Sequence, residues 1–181
     1  MVITDNDYNI LCADIPVLTR QENGQFEFRD CYFLEFVIKN DAETMDKIKL
    51  FYTPFDFNTA VKNAISSPKD NSIQRLFLLA GPNIIKNRFQ EPDDFLALAM
   101  CEDSPKSTII KYFEVNNKFR RSYEPDQKYR RVGTSAVKAL QKIYQDRELC
   151  GESALHAIKF WIKNGFILVK KGEQYVRWYN R

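Results

Sequence analysis

The sequence predicts an α/β protein of the α+β kind, in which helices pack on a mixed central sheet. Two observations predict this fold: two apolar runs of strand length at 94–102 and 108–115, and the two helical patterns and the hairpin that follow them. Elements in this order bury their apolar faces as helices on a sheet. The chain has 181 residues, which is enough for one domain with a hydrophobic core, and a single domain over 1–181 is expected.

The two predicted strands are adjacent in the chain. The run "DFLALAMCE" (94–102) is continuously apolar, and "TIIKYFEV" (108–115) is rich in β-branched and aromatic residues, which favour strands. The segment "DSPKS" (103–107) between them is a cluster of turn residues. We therefore expect the two strands to form a hairpin.

Two helices and a second hairpin are predicted after this hairpin. "SALHAIKFWIKNGF" (153–166) is predicted to be a well-buried helix with Ser153 as its N-cap and Asn164-Gly165 as its C-cap. "FILVKKGEQYVRWY" (166–179) is typical of a closing hairpin. The earlier helix presents one apolar face with helical spacing, formed by Val137, Leu140, Ile143 and Tyr144.

The first half of the chain is less regular. "CYFLEFVI" (31–38) favours a strand, and Asp56–Ile65 favours a helix that ends before "SSPKDN". In "SIQRLFLLAG" the apolar residues at 73, 76, 77 and 80 have helical spacing, and Gly81-Pro82 would end such a helix. A helix is therefore predicted over 73–80.

Composition narrows the class of function. The net charge is +3, from 27 basic and 24 acidic residues, which is too mild to indicate nucleic-acid binding by itself. No apolar run approaches the roughly 20 residues needed to cross a bilayer, and no signal peptide is visible. The four cysteines are scattered without metal-ligand spacing, so we expect buried reduced thiols, no metal site and a cytoplasmic location.

The segment "YRRVGTSA" (129–136) places two arginines and four small residues at a helix start. The first turn of a helix leaves N–H groups without helical partners, and the peptide dipoles leave roughly half a positive charge there. The segment therefore indicates a diphosphate site, although a capped helix with two solvated arginines explains the same residues. The candidate binding residues are Arg130, Arg131, Val132, Gly133, Thr134, Ser135 and Ala136.

Two segments in this order resemble signatures of the GNAT superfamily of N-acyltransferases. "YRRVGTSAVKAL" is similar to the acyl-CoA-binding pattern Q/R-x-x-G-x-G/A, and "ALHAIKFWIKNGF" is similar to the second signature. The resemblance covers about 94–179 and implies a GNAT-like fold with a mostly antiparallel central sheet. The matching positions of the second signature are Ala157, Phe160-Trp161 and Gly165-Phe166.

The resemblance also implies a reaction. Acetyl-CoA, as co-substrate, would lay its diphosphate on the N–H groups of residues 131–136, and its pantetheine arm would run between two splayed strands, one of them 108–115. A backbone N–H near Val115 would polarise the thioester carbonyl, and a primary amine would attack it directly. Glu114 lies where several family members keep a carboxylate base, although an outward-facing strand residue is an equal alternative.

Three positions depart from the family pattern. Ser135 stands in place of Gly or Ala, and Ala154 stands where Asn is frequent. Trp161 stands where the family often has a Tyr that protonates the departing thiolate, and an indole N–H lacks the acidity for that role. The last two departures leave open a catalytically weak or inactive module that acts through binding.

The loop before the candidate diphosphate site is long and basic. "VNNKFRR" (115–121) and "KYRRVG" (128–133) repeat a Lys-aromatic-Arg-Arg pattern, which indicates an insertion of about ten residues, a length that surface loops tolerate. A solvated loop, a clamp on the CoA 3′-phosphate and a surface for RNA such as aminoacyl-tRNA all remain open, as do a protein acceptor and a homodimer. The six cations are Lys118, Arg120, Arg121, Lys128, Arg130 and Arg131.

Overall fold

A computed structural model describes residues 3–38, 42–51, 54–55, 73–86, 94–120, 127–171 and 175–180. The described strands are β1 (Tyr8–Arg20), β2 (Phe26–Phe36), β3 (Ile73–Ala80), β4 (Phe95–Asp103), β5 (Ser107–Val115), β6 (Tyr129–Arg130), β7 (Glu148–Ala154), β8 (Ile167–Lys171) and β9 (Tyr175–Tyr179). The described helices are α1 (Ala42–Ile48), α2 (Val132–Ile143) and α3 (Ile158–Lys163), with 3₁₀ turns at Lys49–Phe51, Asn117–Phe119 and Leu155–Ala157.

These nine strands form one sheet in the order β6-β1-β2-β3-β4-β5-β7-β9-β8. All neighbours are antiparallel except β5 and β7. Those two are parallel because α2 lies between them in the chain and carries it back across the sheet. The predicted fold class, a mixed and mostly antiparallel sheet flanked by helices, is confirmed, and so are the β4–β5 and β8–β9 hairpins.

The helix predicted over 73–80 is wrong, because these residues form β3. β3 lies near the middle of the sheet, between β2 and β4, and its residues from Leu76 to Ala80 are fully buried. A strand buried on both faces is apolar without alternation, so its sequence can also satisfy helical spacing. The predicted helix Asp56–Ile65 lies outside the described residues.

Apolar layers cover both faces of the sheet. Phe33 and Phe77 lie in the layer beneath α2, whereas their chain neighbours Leu34 and Leu78 lie in the opposite layer with Phe51. This alternation follows from the two-residue period of a strand. The predicted apolar face of α2 is confirmed, with Val137, Leu140 and Tyr144 buried and Ile143 partly buried.

The predicted helix 153–166 is only partly right. Its first residues belong to β7 and to a 3₁₀ turn, and α3 has six residues. Ser153 is therefore no N-cap, and its Oγ accepts a hydrogen bond from Trp178 Nε1 at 3.2 Å. The expected burial is also wrong, since Trp161 is buried but Ile162 is 53% exposed. The predicted C-cap is confirmed, with Asn164 as cap and Gly165 at φ +88°.

A polar cluster fixes the C-terminal end of α2 to the sheet. Arg75 donates two hydrogen bonds to the Glu35 carboxylate, at 2.6 and 2.9 Å, and a third to the Tyr144 hydroxyl at 3.2 Å. Burial is the main cause that raises the pKa of Tyr144, and the neighbouring Cys101 thiol raises this pKa further. The hydroxyl therefore stays protonated. The bidentate, charge-assisted contact joins β3 to β2, and the hydrogen bond to Tyr144 connects the end of α2 to this pair.

The four cysteines are free thiols. Cys31 and Cys101 are buried as expected, whereas Cys12 and Cys150 are only partly buried. Burial raises the pKa of Cys31 to about 12 and also raises that of Cys101, so both buried thiols stay protonated. Within the described part of the chain, no helix has the length and apolar character needed to span a bilayer.

Gly151 is where β7 packs most tightly, and we predict that Gly151→Ala destabilises the protein. A Cβ at this position would lie 2.6 and 2.7 Å from ring atoms of Trp178 and 2.9 Å from the Ile110 carbonyl oxygen. Overpacking of this kind costs about 1–3 kcal/mol, which exceeds the gain of about 0.5–1 kcal/mol from replacing a strand glycine. Urea denaturation measures the change, and Glu148→Ala, exposed on the same strand, is the control. A variant as stable as the wild type would contradict this packing.

Candidate functional site

The site begins where two neighbouring strands part. β5 and β7 pair only between Ser107–Ile110 and Glu148–Gly151. Beyond these residues β5 continues beside β4 as far as Val115, and β7 continues beside β9 as far as Ala154. The described residues show no pairing across the gap between the two ends, so the sheet opens into a groove.

The groove has a volume of about 1080 Å³. One wall is β5 from Ile110 to Val115, the other is the end of β7 with Phe160 and Trp161 of α3, and the start of α2 closes the wide end. Ligand pockets of drug-sized molecules occupy about 300–1,000 Å³, so this groove is large enough for an extended nucleotide-bearing ligand.

The backbone of β5 directs hydrogen-bond donors into the groove. Asn116 N–H donates to the Leu96 carbonyl oxygen at 2.9 Å and therefore points toward β4. Successive residues of a strand direct their N–H groups to opposite edges. The N–H groups of Val115 and Phe113 therefore point away from β4, toward the groove, where they are available to a ligand carbonyl.

The start of α2 offers a second set of donors. The first i to i−4 hydrogen bond of this helix runs from Ser135 N–H to the Arg131 carbonyl oxygen, at 3.1 Å. The N–H groups of Val132, Gly133 and Thr134 precede it and have no acceptor within the helix. All three residues line the groove together with Arg131. This end of the helix therefore favours an anion.

Two features hold this first turn in place. Arg131, the N-cap, has φ 55°, which is a left-handed conformation that a non-glycine residue adopts at a penalty of about 1–3 kcal/mol and that is frequent at functional sites. Gly133 packs tightly, since an added Cβ would lie 3.1 Å from Phe160 and 3.2 Å from Val115. The glycine thus lets α2 approach both β5 and α3.

Not all of the predicted diphosphate residues face the groove. The Ser135 hydroxyl donates to the Pro16 carbonyl oxygen of β1 at 2.7 Å, and Ala136 is buried in the core. The Arg130 guanidinium lies over the Phe26 ring, 3.9 Å from its centroid. The structure thus brings together Val115, Arg131, Val132, Gly133 and Thr134 and places Arg130, Ser135 and Ala136 elsewhere.

Glu114 lies in the groove wall and is only 9% exposed. One carboxylate oxygen, Oε1, forms an ion pair with Arg120, whose Nε donates to the Val115 carbonyl oxygen at 3.0 Å. The other oxygen, Oε2, is buried and has no hydrogen-bond partner within the described part of the chain. A buried carboxylate oxygen without a donor is unfavourable, so a ligand that donates a hydrogen bond would be stabilised here.

Trp161 forms the floor of the groove as part of an aromatic cluster. It stacks on Trp178 with ring centroids 3.9 Å apart, and it contacts Phe113 and Phe166 edge to face. The residue as a whole is 5% exposed. This side chain shapes the groove, and its chemistry supplies no acid. His156 is exposed at the rim of the same groove.

The six cations of the basic loop are not one cluster. Lys128 pairs with the buried Asp94 at 3.2 Å, Arg130 lies over Phe26, and Lys118 is exposed. Arg121 lies outside the described residues. Among the described cations of this loop, Arg120 and Arg131 line the groove. Sequence reasoning missed Lys163, which also lines the groove, and Lys138, which lines a smaller cavity beside it. Lys138 follows Thr134 by one helical turn, and that spacing was a usable signal.

No family model and no curated protein matches the chain. Among solved structures it is similar to an acetyltransferase from Bacillus cereus, with TM-score 0.44 and 12% identity over 80% of this chain and 96% of that one. It is also similar to nourseothricin acetyltransferase, with TM-score 0.42 and 13% identity over 99% and 95% of the two chains. It is also similar to ElaA from Escherichia coli, with TM-score 0.39 and 15% identity over 60% of this chain and 68% of ElaA. Acetyltransferases are thus among the structures that this chain resembles.

Proposed function

We propose that this chain is a GNAT-type N-acetyltransferase that transfers an acetyl group from acetyl-CoA to a primary amine. One observation carries the proposal: the groove between β5 and β7 leads from the amides at the start of α2 to the donors of β5 and the carboxylate of Glu114. An acyl-CoA has matching groups in the same order, which are a diphosphate, an extended amide-bearing arm and a thioester.

The diphosphate of acetyl-CoA fits the wide end of the groove. The N–H groups of Val132, Gly133 and Thr134 would donate to its oxygens, and the guanidinium groups of Arg131 and Arg120 would balance its charge. From Val115 back to Ile110 β5 spans about 16 Å, at a rise of about 3.3 Å per residue. The pantetheine arm would run along this wall of the groove, with the thioester carbonyl facing the N–H groups of β5 beside Glu114.

The transfer step uses groups that face the groove. The neutral amine nitrogen attacks the thioester carbonyl carbon, a C–N bond forms, and the C–S bond breaks to release the CoA thiolate. An N–H of β5, that of Val115 or Phe113, stabilises the negative charge that develops on the carbonyl oxygen. Glu114 Oε2 accepts the proton that the amine loses, and water protonates the thiolate, because Trp161 carries no suitable proton.

A second candidate function is a binding module that keeps the fold but does not catalyse acetyl transfer. The observation in its favour is Trp161, which fills the floor of the groove with an indole where a phenol would supply an acid. The structure offers less support for a function directed at RNA, because Lys128 pairs with Asp94 and Arg130 lies over the Phe26 ring. The cytoplasmic location, the single-domain organisation, a protein acceptor and a homodimer stay predictions.

We predict that acetyl-CoA raises the melting temperature of the wild-type protein and that Gly133→Glu abolishes the effect. A ligand at 100 times its Kd adds about 2.7 kcal/mol of stability, which corresponds to a shift on the order of 5 °C for a chain of this length. A glutamate at position 133 collides with Phe160 and Val115 and repels the diphosphate. Differential scanning fluorimetry measures both shifts.

Two further variants complete this experiment. Gln145→Glu adds the same charge at an exposed position just after α2 and should keep the full shift. Arg131→Asn tolerates the left-handed backbone and removes one cation, so it should weaken binding about two- to fivefold without unfolding the turn. Absence of any shift with acetyl-CoA or CoA in the wild type would eliminate the enzyme and the CoA-binding module together.

Glu114→Gln separates the catalytic proposal from the binding module. The amide keeps the volume and a hydrogen-bonding oxygen for Arg120 but accepts no proton from an amine, so kcat should fall about 10²–10⁴-fold. The KM for acetyl-CoA should change little, because the amide at position 114 leaves the diphosphate donors of α2 in place. Steady-state assays with a panel of primary amines test this, with Glu152→Gln, exposed in the same groove, as the control. Full activity of Glu114→Gln would contradict its role as the base.

A further inference from the structure

A second cavity adjoins the wide end of the groove. It has a volume of about 340 Å³ and is lined by Arg131, Thr134, Lys138, Lys163 and Asn164. Arg131, Thr134 and Lys163 also line the main groove, so the two spaces meet between the first turn of α2 and the end of α3. Three of the five lining side chains are cations, and none of the five is acidic.

The walls of this cavity belong to two helices that are tied together. Gln141 of α2 donates through Nε2 to the Asn164 carbonyl oxygen at the end of α3, at 2.9 Å. The Asn164 side chain is buried and donates back to the Phe160 carbonyl oxygen at 2.8 Å. These bonds fix the end of α3, and therefore Lys163, beside the helix that carries Lys138. The backbone positions that carry the exposed side chains of Lys138 and Lys163 are thus fixed relative to each other.

We infer that this cavity binds the 3′-phosphate of CoA and makes the protein selective for CoA over 3′-dephospho-CoA. The inference rests on the proposed function and assigns the specificity to Lys138 and Lys163. Of the basic loop, Arg131 takes part in this clamp, whereas Lys128 and Arg130 contact Asp94 and Phe26.

Charge and position both favour this phosphate. A phosphate monoester carries between one and a half and two negative charges at neutral pH, which suits three cations with no competing carboxylate in the cavity lining. The cavity shares Arg131 and Thr134 with the turn that would hold the diphosphate. In CoA the 3′-phosphate is attached to the ribose that follows the diphosphate, so one ligand can occupy both places.

Calorimetric titration of the 181-residue chain with CoA and with 3′-dephospho-CoA tests the inference. The wild type should bind CoA about tenfold more tightly or better, since contacts between cations and a phosphate are charge-assisted. In the double variant Lys138→Gln/Lys163→Gln this preference should fall to about twofold or less, because the affinity for CoA should fall by more than the affinity for dephospho-CoA. The preference of the wild type should also shrink as salt is raised.

The matched control is Lys142→Gln/Lys159→Gln, which removes one lysine from each of the same helices outside the cavity lining. This control should keep the wild-type preference. Equal wild-type affinity for the two ligands would overturn the inference and leave the proposed function standing, and so would a preference that the Lys138/Lys163 double variant retains. Failure of the wild type to bind either ligand would instead overturn the proposed function. The measurement on the wild type needs no variant and decides the question even if the double variant is unstable.

Discussion

The divergence of β5 from β7 is the constraint on which the candidate site depends. The two strands share four residue pairs and then separate, because β5 remains bound to β4 and β7 remains bound to β9. Gly151 sits at the last of these pairs, against the ring of Trp178 and the carbonyl of Ile110. A paired sheet would use the N–H groups of the outer half of β5 for a neighbouring strand. The separation instead directs them toward a groove.

The crossover between these strands places the positive end of the α2 dipole where an anion could bind. Because β5 and β7 are parallel, α2 must run in the opposite direction, so its first turn lies at the open end of the groove. Arg75, Glu35 and Tyr144 hold its other end against the sheet. Gly133 and the left-handed Arg131 settle how closely the first turn approaches β5. Fold and anion site are thus consequences of the same chain path.

The sequence correctly predicted those elements whose residue pattern fits only one kind of secondary structure. The runs at 94–102 and 108–115 are bounded by turn residues, and α2 carries a helical apolar face, so these elements were right. The helix predicted over 73–80 was wrong because a strand buried on both faces has no alternation of apolar and polar residues. β7 was missed because Gly151, Glu152 and Ser153 are weak strand formers, and the pairing of this segment with β5 and β9 decides its conformation.

The site likewise contains residues that the local sequence predicts and residues whose roles depend on contacts distant in sequence. The donors of the first turn of α2 follow from general helix chemistry, so their residues were predictable, whereas the roles of Ser135 and Arg130 depend on contacts with β1 and Phe26 that are distant in sequence. Lys163 was not predictable as a neighbour of Lys138, because their approach depends on the packing of α3 on α2. The ion pair of Glu114 with Arg120 likewise joins a strand to the loop after it.

Titration of ¹⁵N-labelled protein with acetyl-CoA, followed by amide chemical shifts, tests the central claim most directly. Hydrogen bonding to a diphosphate and to a thioester carbonyl shifts the resonances of the donating amides. The account predicts that the largest changes occur at Val132, Gly133 and Thr134, with a second group at Val115 and Phe113. Saturating acetyl-CoA that leaves these amides unchanged, or that shifts a different surface, would contradict it.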